Sequence, residues 1–354
     1  MPIRKPSPRS TNNASTPTRG TLADVARQAG VTKSTVSFAF SGKRKISEST
    51  REHIFAIARE LNYQPNPHAQ RLSSGTATGV VGLIALPLDH MAWLTMSRLN
   101  HHLATQGYEA PLYTFGYSFP GPVHRRKLIS TACLQQPEGI IFNSLNLQTQ
   151  DYEILEEYQQ KGGALVCLRS SSELSCDQIV FDRNENTYLA ANHLLRAGHR
   201  KIGLCTFGAA DPNTPRHKGF ERALAKYNLE SNPEWLFEAG LDEEGGAALA
   251  EVFLKLNKPP SAICIVNDMQ AATFVHKLLR AGVRIPEDLS VVSLDGMPAA
   301  QHGMVPLTVV TQPWQIMADT AVQFLQEQMK ETTTPRKIVF TGEIIERDSV
   351  LKLN

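Results

Sequence analysis

Two sets of residues in this 354-residue chain have types and spacing that could do chemistry. The first is Thr32, Lys33, Ser34, Thr35, Ser37 and Phe38, directly after Gly30-Val31. A lysine donates to guanine acceptors, hydroxyls bond base edges or phosphates, and an aromatic ring touches thymine methyl groups. For Phe38 the alternative is packing on the next helix. The second set follows apolar runs: Asn267-Asp268 after Ala262 to Val266, and Asp295 after Val291 to Leu294. Amides and carboxylates leaving the carboxyl ends of buried strands suit a polar small molecule, because ligands of open α/β sheets lie outside those ends. Asp268 has a second reading as a helix cap. Trp93, near the first apolar run, could stack on a sugar face or belong to the core.

Groups for catalysis are not assembled in the same way. The chain has no P-loop, no GxSxG elbow, no HExxH and no GxGxxG after a strand. Its eleven histidines show no paired metal-ligand spacing, and the adjacent His101 and His102 point to different faces of their helix. The expectation is a protein that is not an enzyme and needs no cofactor or metal. Cys133, Cys167, Cys176, Cys205 and Cys264 lack CxxC spacing and read as small buried hydrophobes.

The elements that must carry these residues fall into an α-helical head and an α/β body. Thr21 caps a first amphipathic helix with Leu22, Val25, Ala26 and Ala29 inward, and Gly30 stops it. Thr32 caps a second, in which Val36 and Phe40 share a face, and Ser47 caps a third with Ile54, Ile57, Ala58 and Leu61 inward. Two short helices joined by a tight Gly turn form a helix-turn-helix, whose second helix enters the major groove. Pro65-Asn66-Pro67 then leads into a short hinge. From Gly79 the pattern alternates apolar strands with helices such as 186–197 and 271–281. The strands are 80–86, 139–142, 164–168, 201–205, 262–266 and 289–294. Such alternation over about 270 residues predicts two lobes, each a doubly wound parallel sheet.

Charge follows the same division. Residues 1–75 hold twelve Lys and Arg against four acidic residues, whereas the whole chain is only +2. A basic head on an acidic body is the asymmetry expected where one end meets a polyanion. The polar first twenty residues form an expected disordered basic arm, without the apolar stretch of a secretory signal. With no long apolar run, the expectation is a cytoplasmic protein with no membrane partner.

The run 21–38 resembles the headpiece of the lactose and galactose repressor family. Further similar stretches are Thr50-Arg51-Glu52, 61–66, 69–72, 197–203, 216–220, Asn267-Asp268 and 285–292. The resemblance covers roughly residues 21 to 350. It implies an N-terminal all-α helix-turn-helix headpiece (21–66), a hinge helix (67–76) and a two-lobed periplasmic-binding-protein-like body (78–350). Lobe 1 would take about 78–181 and 313–340, and lobe 2 about 182–312 and 341–354. It further implies a transcriptional regulator, expected to be a repressor. The partners would be double-stranded DNA with a pseudo-palindromic operator, a small-molecule effector such as a sugar or sugar derivative, and a second copy in a homodimer. The competing class is a periplasmic-type binding protein without DNA function, which would have no use for residues 21–75.

By the same resemblance Lys33 and Ser34 take the principal base-reading positions, while Phe38 departs from the Arg or His common there. Thr21, Asn62, Tyr63, Asn66 and Ala69 join the DNA-contacting set, and Leu72 matches the residue relatives push into the minor groove. In the body, Arg216 takes the position of an arginine that grips the effector, with a surface salt bridge as its alternative. Asp295 matches a ligand-binding aspartate and Asp182 a further cleft acid, and Gln312 and Trp314 lie where the chain crosses between lobes. Arg169 stands where relatives often have an acid, which hints at an acidic or phosphorylated effector.

Overall fold

The computed structural model describes residues 20–41, 44–63, 78–86, 89–115, 121–144, 147–169, 173–207, 213–331 and 333–353. The basic arm and the hinge, with Asn66, Ala69 and Leu72, lie outside the described residues. The chain forms two compact units, one up to Thr78 and one from Gly79.

The first unit is built from α1 (Leu22–Gln28), α2 (Lys33–Ser41) and α3 (Glu48–Glu60). Thr21 and Asp24 cap α1 reciprocally: the Asp24 amide donates to the Thr21 hydroxyl at 3.3 Å, and the Thr21 amide donates to the Asp24 carboxylate at 3.0 Å. Gly30, at φ 66°, reverses the chain in a conformation side chains resist. The Thr32 hydroxyl then accepts from the Thr35 amide at 3.1 Å, and the Ser47 hydroxyl from Thr50 at 3.3 Å. Val25, Ala26, Val36, Ala39, Ile54, Ile57 and Ala58 form the small core. Phe40 rests against Phe55 and Tyr63 at ring separations of 4.9 and 5.8 Å.

The second unit holds two six-stranded sheets. In the first sheet the order is β11-β5-β4-β3-β1-β2, all parallel. Here β1 is Val81–Leu86, β2 Leu112–Thr114, β3 Gly139–Ser144, β4 Ala164–Cys167, β5 Asp177–Phe181 and β11 Lys337–Phe340. In the second the order is β12-β10-β9-β8-β6-β7, parallel except for β12 against β10. Its strands are β6 Ile202–Thr206, β7 Leu236–Glu238, β8 Ala262–Ile265, β9 Ser290–Asp295, β10 Thr308–Thr311 and β12 Ile344–Ile345.

The helices that matter for the site are α4 (His90–Thr105), α7 (Arg183–Arg196), α8 (Pro215–Ala225), α10 (Asp268–Arg280) and α12 (Trp314–Lys330), with α5 (Pro122–Leu134), α6 (Thr149–Gln160), α9 (Glu243–Phe253) and α11 (Pro298–His302) completing the layers. Each sheet is covered on both faces by apolar side chains, so its central strands read as continuous apolar runs. Strands outside the six expected ones have weaker patterns. β2 and β7 are three residues long, β11 alternates exposed and half-buried positions, and β5 opens on the polar pair Asp177-Gln178.

The chain passes from one sheet to the other three times, at β5 to α7, β10 to α12 and β11 to β12. Asn186, fully buried on α7, ties the other two passages: its carbonyl oxygen accepts from the Gly342 amide at 2.8 Å, and its amide donates to the Thr311 carbonyl at 3.4 Å. A Cβ on Gly342 would stand 1.9 Å from the Thr311 oxygen, so only glycine allows this approach.

Candidate functional site

On the first unit, α2 separates its residues by exposure. Val36 and Ala39 are buried, Thr32, Lys33 and Ser34 are exposed, and Thr35, Ser37 and Phe38 are half-buried. Phe38 stays outside the apolar cluster, and the Arg44 guanidinium lies 5.8 Å from its ring centre. That geometry is a cation over an aromatic face. Thr21 is exposed but occupied by its cap, Asn62 takes a left-handed turn at φ 48°, and one side of Tyr63 is taken by Phe40.

On the second unit the carboxyl ends of both sheets face a cleft of about 180 Å³. The expected residues Arg169, Arg216, Asn267, Asp295 and Gln312 line it. Asp89, Asn143, Arg183 and Phe207 join them without having been expected. Asn143 ends an apolar strand as Asn267 does, so the same rule applied to β3 would have found it. Arg183 follows Asp182 at the first crossing, where a charged residue beside a candidate was the available signal.

Four expected residues lie outside the cleft lining. The Asp182 carboxylate caps α7, accepting from the amides of Asn184 at 2.9 Å and Glu185 at 3.0 Å. Asp268 is fully buried, accepts from the Ser293 hydroxyl at 2.5 Å and from the Met297 amide, and so braces the turn after β9. Trp93 is 53% exposed, and Trp314 is half-buried at the start of α12.

The polar groups of the cleft are held by backbone geometry. Asn267 caps α10 through its carbonyl oxygen, accepting from Met269 at 2.9 Å, while its amide donates to Asp295 at 3.2 Å. Asp295 adopts φ 141°, a conformation that costs about 1–3 kcal/mol and clusters at ligand sites. The Gln312 amide donates to its carbonyl at 2.8 Å, fixing it at the second crossing. Asp89 caps α4 by accepting from Ala92 at 2.7 Å.

Charge in the cleft is uneven. Burial pushes Arg169 down to about 9, and Arg183 and Arg216 push it the same way. Arg216 is held at about 10 by burial and by Arg183, and Arg183 is lowered by burial. Burial, with the Asp268 carboxylate beside it, raises Asp295 well above the usual range. The chemistry of this lining suits polar, charged solutes. Among the described residues no group of His, Cys, Asp and Glu could hold a metal ion, and no helix is long and apolar enough to cross a membrane.

Residues 21–66 match the family described as bacterial regulatory proteins, lacI family, and residues 191–350 match a periplasmic binding protein-like domain. The HTH-type transcriptional repressor PurR of Aliivibrio salmonicida is 29% identical over 337 residues, covering 94% of this chain and 99% of that protein. The protein of the same name from Vibrio cholerae is 29% identical over 338 residues, with coverages of 94% and 98%. Among solved structures, a transcriptional regulator CelR–cellobiose complex is 25% identical with a TM-score of 0.67, covering 94% of this chain and all of that one. A lac repressor dimer bound to operator and the anti-inducer ONPF shares the fold at 23% identity and a TM-score of 0.72, with coverages of 94% and 99%.

Proposed function

We propose that the chain is a transcriptional repressor of the lacI family, whose grip on DNA is set by a small molecule in the cleft. The observation that carries this reading is the pairing, in one chain, of an exposed Lys33-Ser34 helix start with a polar cleft at the strand ends of the second unit. Lys33 and Ser34 read base edges, with Thr32, Thr35, Ser37 and Phe38 around them. Asn62, Tyr63, Asn66, Ala69 and Leu72 serve the DNA side through phosphate contact and the hinge.

Arg216, Asn267, Asp295, Gln312 and Arg169 hold the effector, a sugar or sugar derivative; the CelR structure carries cellobiose, which supports a carbohydrate in this kind of cleft. Two copies form a dimer on a pseudo-palindromic operator; the similar lac repressor structure is of a dimer bound to operator. Residues 78–181 with 313–340, and 182–312 with 341–354, act as the two lobes, and ligand closes them on each other. The protein works in the cytoplasm on chromosomal DNA and has no catalytic role. A binding protein without DNA function is disfavoured by the match over residues 21–66.

Ligand moves the equilibrium only by its differential affinity for the two states, about 1–3 kcal/mol in typical coupled systems. The test is selection of bound sequences from random duplexes by the full chain, followed by affinity measurements on the enriched sequence at fixed salt. A defined, two-fold related sequence is the expected result; enrichment of no sequence over bulk DNA overturns the reading.

A further inference from the structure

We propose that the cleft is built for an anion: a small polyhydroxylated molecule carrying a carboxylate or phosphate, gripped by Arg169, Arg183 and Arg216. The inference rests on the cleft being the effector site and adds the charge of its ligand.

Three guanidinium groups line the cleft against two carboxylates, Asp89 and Asp295. Three other confined arginines of this unit have matched acids. Arg125 donates to Asp151 at 2.7 Å, Arg336 donates to Asp177 at 2.7 Å, and Arg98 donates to Asp319 at 2.7 Å. Among the described residues no ion pair or side-chain hydrogen bond engages the guanidinium of Arg169, Arg183 or Arg216. Among the described lining residues three guanidinium groups, each lowered by burial, face only two carboxylates, Asp89 and Asp295, which leaves an excess of positive charge in a confined space. An oxyanion offsets it, because the guanidinium fork matches carboxylate and phosphate oxygens in a bidentate manner.

The three cations come from different parts of the fold. Arg169 follows β4 of the first sheet, Arg183 opens α7 at a crossing, and Arg216 lies in the first turn of α8 beside the second sheet. One anionic group reached from both sheets favours their approach. The rest of the lining suits hydroxyls: Asn143 and Gln312 offer amides, and Asp89 and Asp295 offer acceptors.

The experiment is calorimetric titration and thermal unfolding of the full chain with four probes at equal ionic strength: inorganic phosphate, D-glucose 6-phosphate, D-glucuronate and D-glucose. Sodium chloride is the control. Saturable binding and a raised melting temperature are expected for phosphate and for at least one charged sugar, with D-glucose at least about ten-fold weaker, the size of one lost charge-assisted contact. Whichever charged sugar binds more tightly separates carboxylate from phosphate. Arg183→Gln and Arg216→Gln should each weaken it about ten-fold or more, while a sharp thermal transition shows that they fold.

The proposal is overturned if D-glucose binds as tightly as its charged counterparts, if the arginine variants bind unchanged, or if no anion exceeds the chloride control. D-Glucose that saturates the cleft and shifts operator affinity would remove the anion while leaving the effector reading in place. A bound anion without effect on operator affinity would do the reverse.

Discussion

The two units solve recognition in opposite ways. In the first, one short helix presents its candidate groups from neighbouring positions, 32 to 38, with Thr32, Lys33 and Ser34 in water and the others half-buried above a core of seven buried side chains. In the second, the cleft takes single residues from the ends of many strands and helices, from Asp89 to Gln312, and confines three like charges. A surface that meets a polyanion in solvent needs only exposed donors on a rigid support. A cleft that must select one small molecule withdraws charges from water and leaves their pairing to the ligand. The first arrangement adds little strain to the free protein; the second should make the empty cleft a source of instability.

The largest expected effect tests whether the first unit depends on its own small core. Ile54→Ala, at a fully buried position, should cost about 2–5 kcal/mol, close to the whole stability of so small a unit. Specific DNA binding should vanish while the melting transition of the second unit, followed by calorimetry, stays in place. A matching fall in the second transition would erase the contrast between the units. Next comes Lys33→Ala, expected to relax preference at one base position by about 1–3 kcal/mol in a binding-site selection, with little change in response to ligand.

The cleft predicts a gain in place of a loss. Arg183→Gln or Arg216→Gln should raise the melting temperature of the ligand-free protein at pH 7 by a few degrees, since each removes one of three confined cations that face only two carboxylates among the described lining residues. The sign follows from the lowered values of about 9 for Arg169 and about 10 for Arg216. Below those values the folded chain keeps the charges and bears their full cost. Above them it releases protons before the unfolded chain does, so wild-type stability recovers and the advantage of Arg216→Gln should shrink as pH rises through about 10. Anion affinity should fall over the same window.

The smallest effect belongs to His199. Its ring is held between the Ser261 hydroxyl and the Leu351 carbonyl, both at 3.0 Å, and burial lowers its pKa. Below the ordinary histidine value the unfolded chain takes up a proton first, so stability should decline as pH falls through about 6.5, and His199→Gln should flatten that slope in denaturant titrations.

What could be read from residues alone follows the same contrast. The first unit was legible nearly to its caps, because Thr21, Gly30, Thr32 and Ser47 are local signals whose partners lie within three residues. The central strands were legible because burial on both faces writes them as apolar runs. Edge strands were not: β11 pairs with β5 some 160 residues away, held by Arg336 on Asp177, and nothing local marks that partnership.

For the cleft, the strand-end rule located Asn267 and Asp295, while Arg169, Arg216 and Gln312 rested on resemblance. Asp89 and Phe207 enter the lining through loop paths, and Arg183 through the crossing after β5. Asp182 and Asp268 stand at equally suggestive places, but their carboxylates are turned to backbone amides.

Filling the cleft should change how tightly the chain holds DNA. The most direct test is the dissociation constant of the full chain for its selected duplex at fixed salt, taken with the cleft empty and with it filled to a degree fixed independently by calorimetry. A saturable change of about 5- to 150-fold is expected, with its midpoint tracking cleft occupancy. Identical affinities at full occupancy would contradict it.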